Sequence, residues 1–289
     1  MKYSLLCLVI SLISIRLGFA QAEKIKEIDG GGSGPFPAKA FSERAMKDFV
    51  VYRPEDLAAA IEKEGKLPLV VWANGGCMNS SIHHERLLTE VASHGYVIVA
   101  IGTLQMTIEE RIHEHTPDKE LRRAIDKVIE LSQQSDSEYY NVLDTNKIVA
   151  AGQSCGGAQV ISIADDPRVK SYMMFNSGMG DMTMAGASKE SLNFLHGEII
   201  YIVGGESDVA TENALMDYER IDQVPVVLAN LLEGGHGGTF NQEYGGSFAR
   251  IALDWLNWQF KEEDHSALFL EYELDNYPGW EVKSKNFKL

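Results

Sequence analysis

The chain has 289 residues, of which 42 are acidic and 26 are basic, so its formal net charge is −16. Such an acidic surface repels phosphate backbones and anionic lipid, and nucleic acid is therefore not expected as a partner. The length suits one large domain with a substantial core.

The N-terminus has the pattern of a signal peptide. Lys2 supplies a positive charge, residues 5–15 form an apolar run, and small residues up to Ala20 suit cleavage by a signal peptidase. The run is short for a bilayer span, although an uncleaved anchor is the alternative interpretation. We therefore expect residues 1–20 to be a signal peptide. The mature protein is then expected to be secreted or periplasmic, and not integral to a membrane.

The rest of the chain is predicted to contain one domain. Residues 21–48 are expected to hold an N-terminal leader and a first strand region, with the glycine-rich stretch 30–35 as a flexible leader. Residues 49–262 are predicted to form the main domain, because short apolar runs alternate there with amphipathic helical patterns. Residues 263–289 are predicted to be an extension that packs on this domain.

Six apolar runs predict the buried strands of a parallel sheet. They are residues 67–72, 96–101, 147–151, 169–176, 198–203 and 226–232. Helical stripes lie between and after them, as in Phe248, Ile251, Ala252 and Trp255 at positions i, i+3, i+4 and i+7. This alternation predicts an α/β fold with a mostly parallel central sheet flanked by helices. Functional groups then lie at the carboxyl ends of the strands.

The sequence Gly-Gln-Ser-Cys-Gly at residues 152–156 matches the pattern G-x-S-x-G. It follows a predicted strand and opens a helix, which is the setting of a nucleophile elbow. The glycines permit a tight turn, and the helix N-terminus favours a developing negative charge. Ser154 is therefore predicted to be a nucleophile. A glycine-rich turn without chemistry is the alternative.

A serine hydroxyl needs a base, and the base needs a carboxylate that orients it. In a fold of this kind the acid and then the histidine follow the serine along the chain. Three histidines lie downstream of Ser154. His236 lies between paired glycines after the last long strand, whereas His196 precedes a strand and His265 lies in a charged stretch. His236 is therefore the predicted base.

The acid is expected at the end of the strand that precedes this histidine. Asp208 lies at the tip of the loop after residues 198–203 and is the predicted acid. Glu206 in the same loop is one alternative, and Asp181 after the strand at residues 169–176 is another. A role as a helix cap is the alternative for Asp208 itself.

Acyl transfer also requires two N–H groups that hold the oxyanion. One is expected from Cys155, next to the nucleophile, and the other from Gly76 in the loop 74–77, with Cys77 as the second choice. A tight turn without this role is the alternative for the loop. Cys77 and Cys155 are the only cysteines after the predicted signal peptide, so a disulfide between them is a hypothesis that the sequence raises.

Two stretches of the chain are rich in histidine, a common metal ligand. His83-His84-Glu85 and His113-Glu114-His115 lack the i, i+4 histidine spacing and the third ligand that a zinc site needs. Both are interpreted as solvated faces. Neither a metal nor a cofactor is expected.

Five segments of the chain are similar to secreted α/β-hydrolases of the dienelactone-hydrolase and cutinase-like group. They are residues 67–76, 92–100, 152–157, 205–208 and 235–236. The resemblance implies an α/β-hydrolase fold without a large cap domain, and a serine esterase that uses no cofactor. It also implies that the acyl group of the substrate is transferred to Ser154, and that water activated by His236 then releases it. Dienelactone hydrolases use a cysteine nucleophile, so the serine here argues against dienelactone as the substrate.

These residues together predict a secreted serine hydrolase that cleaves small or polymer-linked carboxylic esters. A peptidase or an acyltransferase with the same three residues is an alternative enzyme. A catalytically silent surface or periplasmic binding protein is the alternative of another class. Four methionines are candidates for the lining of an apolar acyl pocket, namely Met106, Met179, Met182 and Met184.

Overall fold

The computed structural model describes residues 22–110 and 114–288. The predicted signal peptide and His113 lie outside the described residues. Helices within the described ranges are all too short or too polar to cross a membrane.

A single mixed sheet of ten strands organises the described residues. Its spatial order is β1-β2-β3-β5-β4-β6-β7-β8-β9-β10. The strands are β1 (Ala22–Lys26), β2 (Ala38–Glu43), β3 (Phe49–Pro54), β4 (Leu67–Ala73), β5 (Val97–Ile101), β6 (Leu143–Gln153), β7 (Val169–Phe175), β8 (Glu198–Val203), β9 (Val226–Leu231) and β10 (Trp280–Lys285). Strands β4 to β9 are parallel to one another, and they correspond to the six predicted runs. The predicted α/β-hydrolase architecture is confirmed.

Helices cover both faces of the sheet. They are α1 (Leu57–Glu64), α2 (Glu85–Ser93), α3 (Glu120–Gln133), α4 (Cys155–Ser162), α5 (Thr211–Arg220), α6 (Gly246–Phe260) and α7 (Ser266–Phe269). Helices α1, α3, α4 and α5 bury their apolar side chains against one face, and α2, α6 and α7 bury theirs against the other. Alternate residues of each central strand therefore contribute to two separate cores, as Val71 and Trp72 of β4 do.

The glycine-rich stretch 30–35 is packed against helix α2, which corrects the prediction of a flexible leader. The backbone N–H of Ser33 lies 2.7 Å from a carboxylate oxygen of Glu90, and its hydroxyl lies 2.5 Å from the other. The N–H of Gly34 donates to the hydroxyl of Ser93 at 3.0 Å. The glycines bring the backbone close enough to α2 for these bonds. Strands β1 and β2 on either side extend the central sheet, so the domain begins before residue 49.

The C-terminal residues also join the sheet. Strand β10 pairs antiparallel with β9 along six residues. Trp280 at its start is buried, and Trp258 of α6 stacks on Phe269 and Phe287 with ring centroids 5.4 Å away in both cases. Within residues 22–110 and 114–288, no large cap domain covers the carboxyl ends of the parallel strands.

Candidate active site

Ser154 lies in the turn between β6 and α4 and has a strained backbone. Its φ of 54° and ψ of −121° are unusual for a residue with a side chain. The flanking glycines allow this turn, because a Cβ on Gly156 would lie 2.2 Å from the carbonyl oxygen of Ala73 in β4. A Cβ on Gly152 would lie 2.5 Å from the carbonyl oxygen of Gly156. The turn therefore presents the serine side chain above the carboxyl ends of the strands.

Ser154, His236 and Asp208 come from three different loops and lie within hydrogen-bonding distance. Nε2 of His236 lies 3.0 Å from Oγ of Ser154, and Nδ1 lies 2.7 Å from Oδ1 of Asp208. The side chain of His236 is 38% exposed, whereas that of Asp208 is fully buried. The arrangement is able to move a proton from the serine to the imidazole while the buried carboxylate orients the ring.

The Asp208 carboxylate is held by hydrogen bonds on both oxygens. Burial alone would raise its pKa, but the hydrogen bond with His236 and three further N–H donors outweigh burial and hold the pKa below its ordinary value. The further donors are the backbone of Ala210 at 3.0 Å, the side chain of Asn176 at 2.7 Å and the backbone of Gly204 at 3.0 Å. The group therefore stays ionised at neutral pH.

Among the described residues, His236 pairs with Asp208 and not with either alternative acid. Asp181 is exposed, and its carboxylate pairs with Lys189 at 2.9 Å and Arg220 at 2.8 Å. Glu206 is exposed in the same loop as Asp208.

The other two histidines downstream of Ser154 also lie away from Asp208 and Ser154. His196 lies before β8, where Nε2 is 3.0 Å from the carbonyl oxygen of Val169 at the start of β7. His265 faces Asp254 and Glu263. Both histidines therefore lie outside the group formed by Ser154, His236 and Asp208.

The loop after β4 is fixed by Asn74, a fully buried residue that the sequence did not single out. Its Oδ1 accepts a hydrogen bond from the indole of Trp72 at 3.0 Å. Its Nδ2 donates to the carbonyl oxygens of Met78 at 2.9 Å and Ile101 at 2.7 Å. The N–H of Cys77 is already used, because it donates to the Asn74 carbonyl oxygen at 3.1 Å. Gly76 is therefore a better candidate than Cys77 for the second oxyanion donor.

Cys77 and Cys155 form a disulfide, with their Cα atoms 5.1 Å apart. The bond joins the loop after β4 to the first residue of α4, next to Ser154. The two segments proposed to supply oxyanion donors are therefore linked covalently.

A cavity of about 370 Å³ opens beside Ser154 and His236. Other residues of its wall are Gly75, Gly76, Met78, Ser80, His83, His84, Gln153, Gly237, Phe240 and Asn241. The four candidate methionines are not among them. Met179 is buried in a core, and Met106 and Met182 are exposed elsewhere. Met78, four residues after Asn74, is the methionine that lines the cavity.

His84 is buried in the wall of this cavity, which corrects its interpretation as part of a solvated face. Its ring packs against Trp72 at a centroid distance of 5.2 Å and against Phe240 at 4.9 Å. Burial, together with the nearby His83, lowers the pKa of His84 to about 3. The imidazole is therefore neutral at the pH of an ordinary assay. Its aromatic neighbours could not be identified from sequence spacing alone.

Gln153 is a further site residue that the motif alone does not identify. Its side chain is largely buried in the cavity wall, and Nε2 donates to the carbonyl oxygen of His236 at 3.3 Å.

No group of three histidine, cysteine, aspartate or glutamate side chains in the described part of the chain is arranged to hold a metal ion.

Comparison with known proteins agrees with this fold. A family model described as PET hydrolase-like matches residues 61–264, which is more than half of the chain. The comparison with curated proteins gave no match to the chain. The matched residues run from within α1 to just beyond α6 and include Ser154, Asp208 and His236. On this match the chain belongs to the PET hydrolase-like family of α/β-hydrolases, and membership of this family supports hydrolysis of esters as its general activity.

Proposed function

We propose that the protein is a secreted serine hydrolase that cleaves carboxylic esters through an acyl-enzyme on Ser154. The observation that supports this most strongly is the pair of hydrogen bonds from Asp208 through His236 to Ser154, at the mouth of a cavity. The family match supports ester hydrolysis in general. The disulfide favours an oxidising compartment, which agrees with export.

In the first half of the proposed reaction, Nε2 of His236 takes the hydroxyl proton of Ser154 as Oγ attacks the ester carbonyl carbon. The carbonyl oxygen becomes an oxyanion, and the N–H groups of Cys155 and Gly76 donate hydrogen bonds to it. Asp208 stabilises the positive imidazolium. The imidazolium then protonates the departing alkoxide, so an alcohol leaves and the acyl group remains on Oγ.

In the second half, water replaces the alcohol. His236 takes a proton from the water as its oxygen attacks the acyl carbon, and the same N–H groups hold the second oxyanion. Collapse of this intermediate breaks the bond to Ser154, whose Oγ regains a proton from His236. The products are a carboxylic acid and the original enzyme.

The cavity suits an ester with a compact apolar part on one side of the carbonyl. Met78, His84 and Phe240 give the wall apolar and aromatic surface. No large cap narrows the entrance within the described ranges. Both small and polymer-linked esters are therefore proposed as substrates, and the family description makes PET one polymer to test.

The test compares the wild type with Ser154→Ala on p-nitrophenyl acetate and p-nitrophenyl butyrate. Ser162→Ala is the matched control, because Ser162 lies at the far end of α4, the helix that follows Ser154, and its hydroxyl bonds to the Gln159 carbonyl oxygen. We expect hydrolysis and fluorophosphonate labelling in the wild type and the control, and neither in Ser154→Ala.

Other outcomes would assign a different function. Acyl transfer to an added alcohol in preference to water would indicate an acyltransferase. Faster cleavage of peptide anilides than of esters would indicate a peptidase. Absence of both turnover and labelling in the wild type would remove the enzymatic proposal and favour a binding protein.

A further inference from the structure

Asn176 lies directly after β7 and connects the loop of the acid to the loop of the base. Its side chain is completely buried. Nδ2 donates to Oδ2 of Asp208 at 2.7 Å and to the carbonyl oxygen of Gly235 at 3.0 Å. Gly235 immediately precedes His236. One amide group therefore bonds to Asp208 itself and to the backbone next to His236.

This use of the amide has a cost. Oδ1 of Asn176 is buried and has no hydrogen-bond partner in residues 22–110 and 114–288. The backbone φ of 41° is also in the left-handed region, which is uncommon for a residue with a side chain. Strained backbones cluster at functional sites, and a buried oxygen without a partner calls for an explanation. Turning the amide over would place Oδ1 against a carboxylate and a carbonyl oxygen, so both N–H hydrogens are used as donors.

We infer that Asn176 is a positioning residue for hydrolysis, an inference that rests on the proposed function of the Ser154 site. By holding Oδ2 of Asp208, it leaves Oδ1 directed at Nδ1 of His236. By holding the carbonyl of Gly235, it fixes the backbone from which the imidazole projects. Asn176 is not part of the cavity wall, so it affects turnover and leaves substrate binding unchanged.

The test uses two substitutions and a control on the same strand. Asn176→Leu removes both hydrogen bonds. Asn176→Asp keeps the shape but restores a donor only when the new carboxyl is protonated. Ser171→Ala is the control, because Ser171 is equally buried in β7 and bonds to Trp255 at 3.0 Å, away from the site.

For Asn176→Leu we expect kcat to fall roughly 10- to 150-fold with KM unchanged, which is the range for loss of a hydrogen bond to a charged group. For Asn176→Asp we expect the ratio of its kcat to that of the wild type to fall as pH rises. The titratable groups that this position faces are Asp208 and, beyond it, His236, and a second ionised carboxylate beside Asp208 is unfavourable. Ser171→Ala should show a lower melting temperature with an unchanged pH profile.

A second measurement does not depend on turnover. The proton on Nδ1 of His236, hydrogen-bonded to Asp208, should give a far-downfield proton NMR signal in the wild type and in Ser171→Ala. Asn176→Leu should shift or lose it. An inactive wild type would overturn the proposed function, while the NMR signal would still test the positioning role. Folded variants at position 176 with wild-type kcat, pH profile and NMR signal would overturn the inference.

Discussion

Breaking the disulfide between Cys77 and Cys155 is expected to lower both the stability and the turnover of the protein. The two cysteines are 78 residues apart in sequence. In the chain-entropy model, closing a loop of that length lowers the entropy of the unfolded chain by about 15 cal/mol/K, or about 4.5 kcal/mol at room temperature. This is a large part of the net stability of a typical domain.

The effect on turnover follows from where the bond lies. Loss of a whole oxyanion donor costs about 10²- to 10³-fold in kcat. The elbow backbone still holds Cys155, and Asn74 still holds the loop of Gly76, so we expect a smaller loss, roughly 10- to 100-fold. KM should change little, because neither sulfur lies in the cavity wall.

The assay is urea unfolding, followed by tryptophan fluorescence, together with ester hydrolysis under conditions where every variant is folded. Cys77→Ala and Cys155→Ala should each lose the full stabilisation, and the double variant should lose no more, because either change alone breaks the bond. If the two single variants show only small and additive losses in the free energy of unfolding, and kcat is unchanged, the disulfide contributes neither to stability nor to turnover.

Three further predictions concern single residues. Asp208→Asn is expected to lower kcat by about 10⁴-fold, because the imidazole loses its orienting carboxylate, whereas Glu206→Gln should be as active as the wild type. Gly156→Ala should unfold at a much lower urea concentration, since its Cβ would lie 2.2 Å from the Ala73 carbonyl oxygen, and a wild-type midpoint would contradict that geometry. The pKa of about 3 for His84 lies below the ordinary value of 6.5, so the unfolded state binds a proton that the folded state excludes. The contribution of the neutral His84 to the free energy of unfolding is fully present above pH 6.5, and it falls by about 3 kcal/mol when the pH is lowered from 7 to 4. His84→Phe should flatten this part of the pH dependence of unfolding, and an unchanged curve would count against a neutral buried imidazole.

The sequence predicted the central strands well and the edges of the sheet poorly. Strands β4 and β5 are buried along their whole length, and the other parallel strands are buried over most of theirs, so each contains an apolar run. The sequence of β1 is Ala-Glu-Lys-Ile-Lys, and that of β10 is Trp-Glu-Val-Lys-Ser-Lys, because each lies at an edge with side chains in solvent. Such short mixed segments lack a pattern that separates them from a leader or a tail.

In the candidate site, the residues that follow a motif or a chain order could be predicted. Ser154, Asp208 and His236 were selected by the elbow pattern and by their order after successive strands, and the structure brings them together. Asn176 and Gln153 were not selected, because their importance lies in contacts across the sheet. A polar residue at the carboxyl end of a buried strand is the only sequence signal that pointed to either.

The glycines around His236 show why local sequence gives an incomplete account of the base loop. They suggest freedom of the backbone, but the structure uses them for close approach. The N–H of Gly235 donates to the carbonyl oxygen of Gly204 at 2.6 Å, and a Cβ on Gly204 would lie 2.0 Å from the carbonyl oxygen of Gly235. The carbonyl oxygens of Gly235 and His236 in turn accept hydrogen bonds from Asn176 and Gln153. The loop of the base is therefore held from the acid loop, from β7 and from the elbow. This accounts for a half-exposed imidazole that still has one defined orientation.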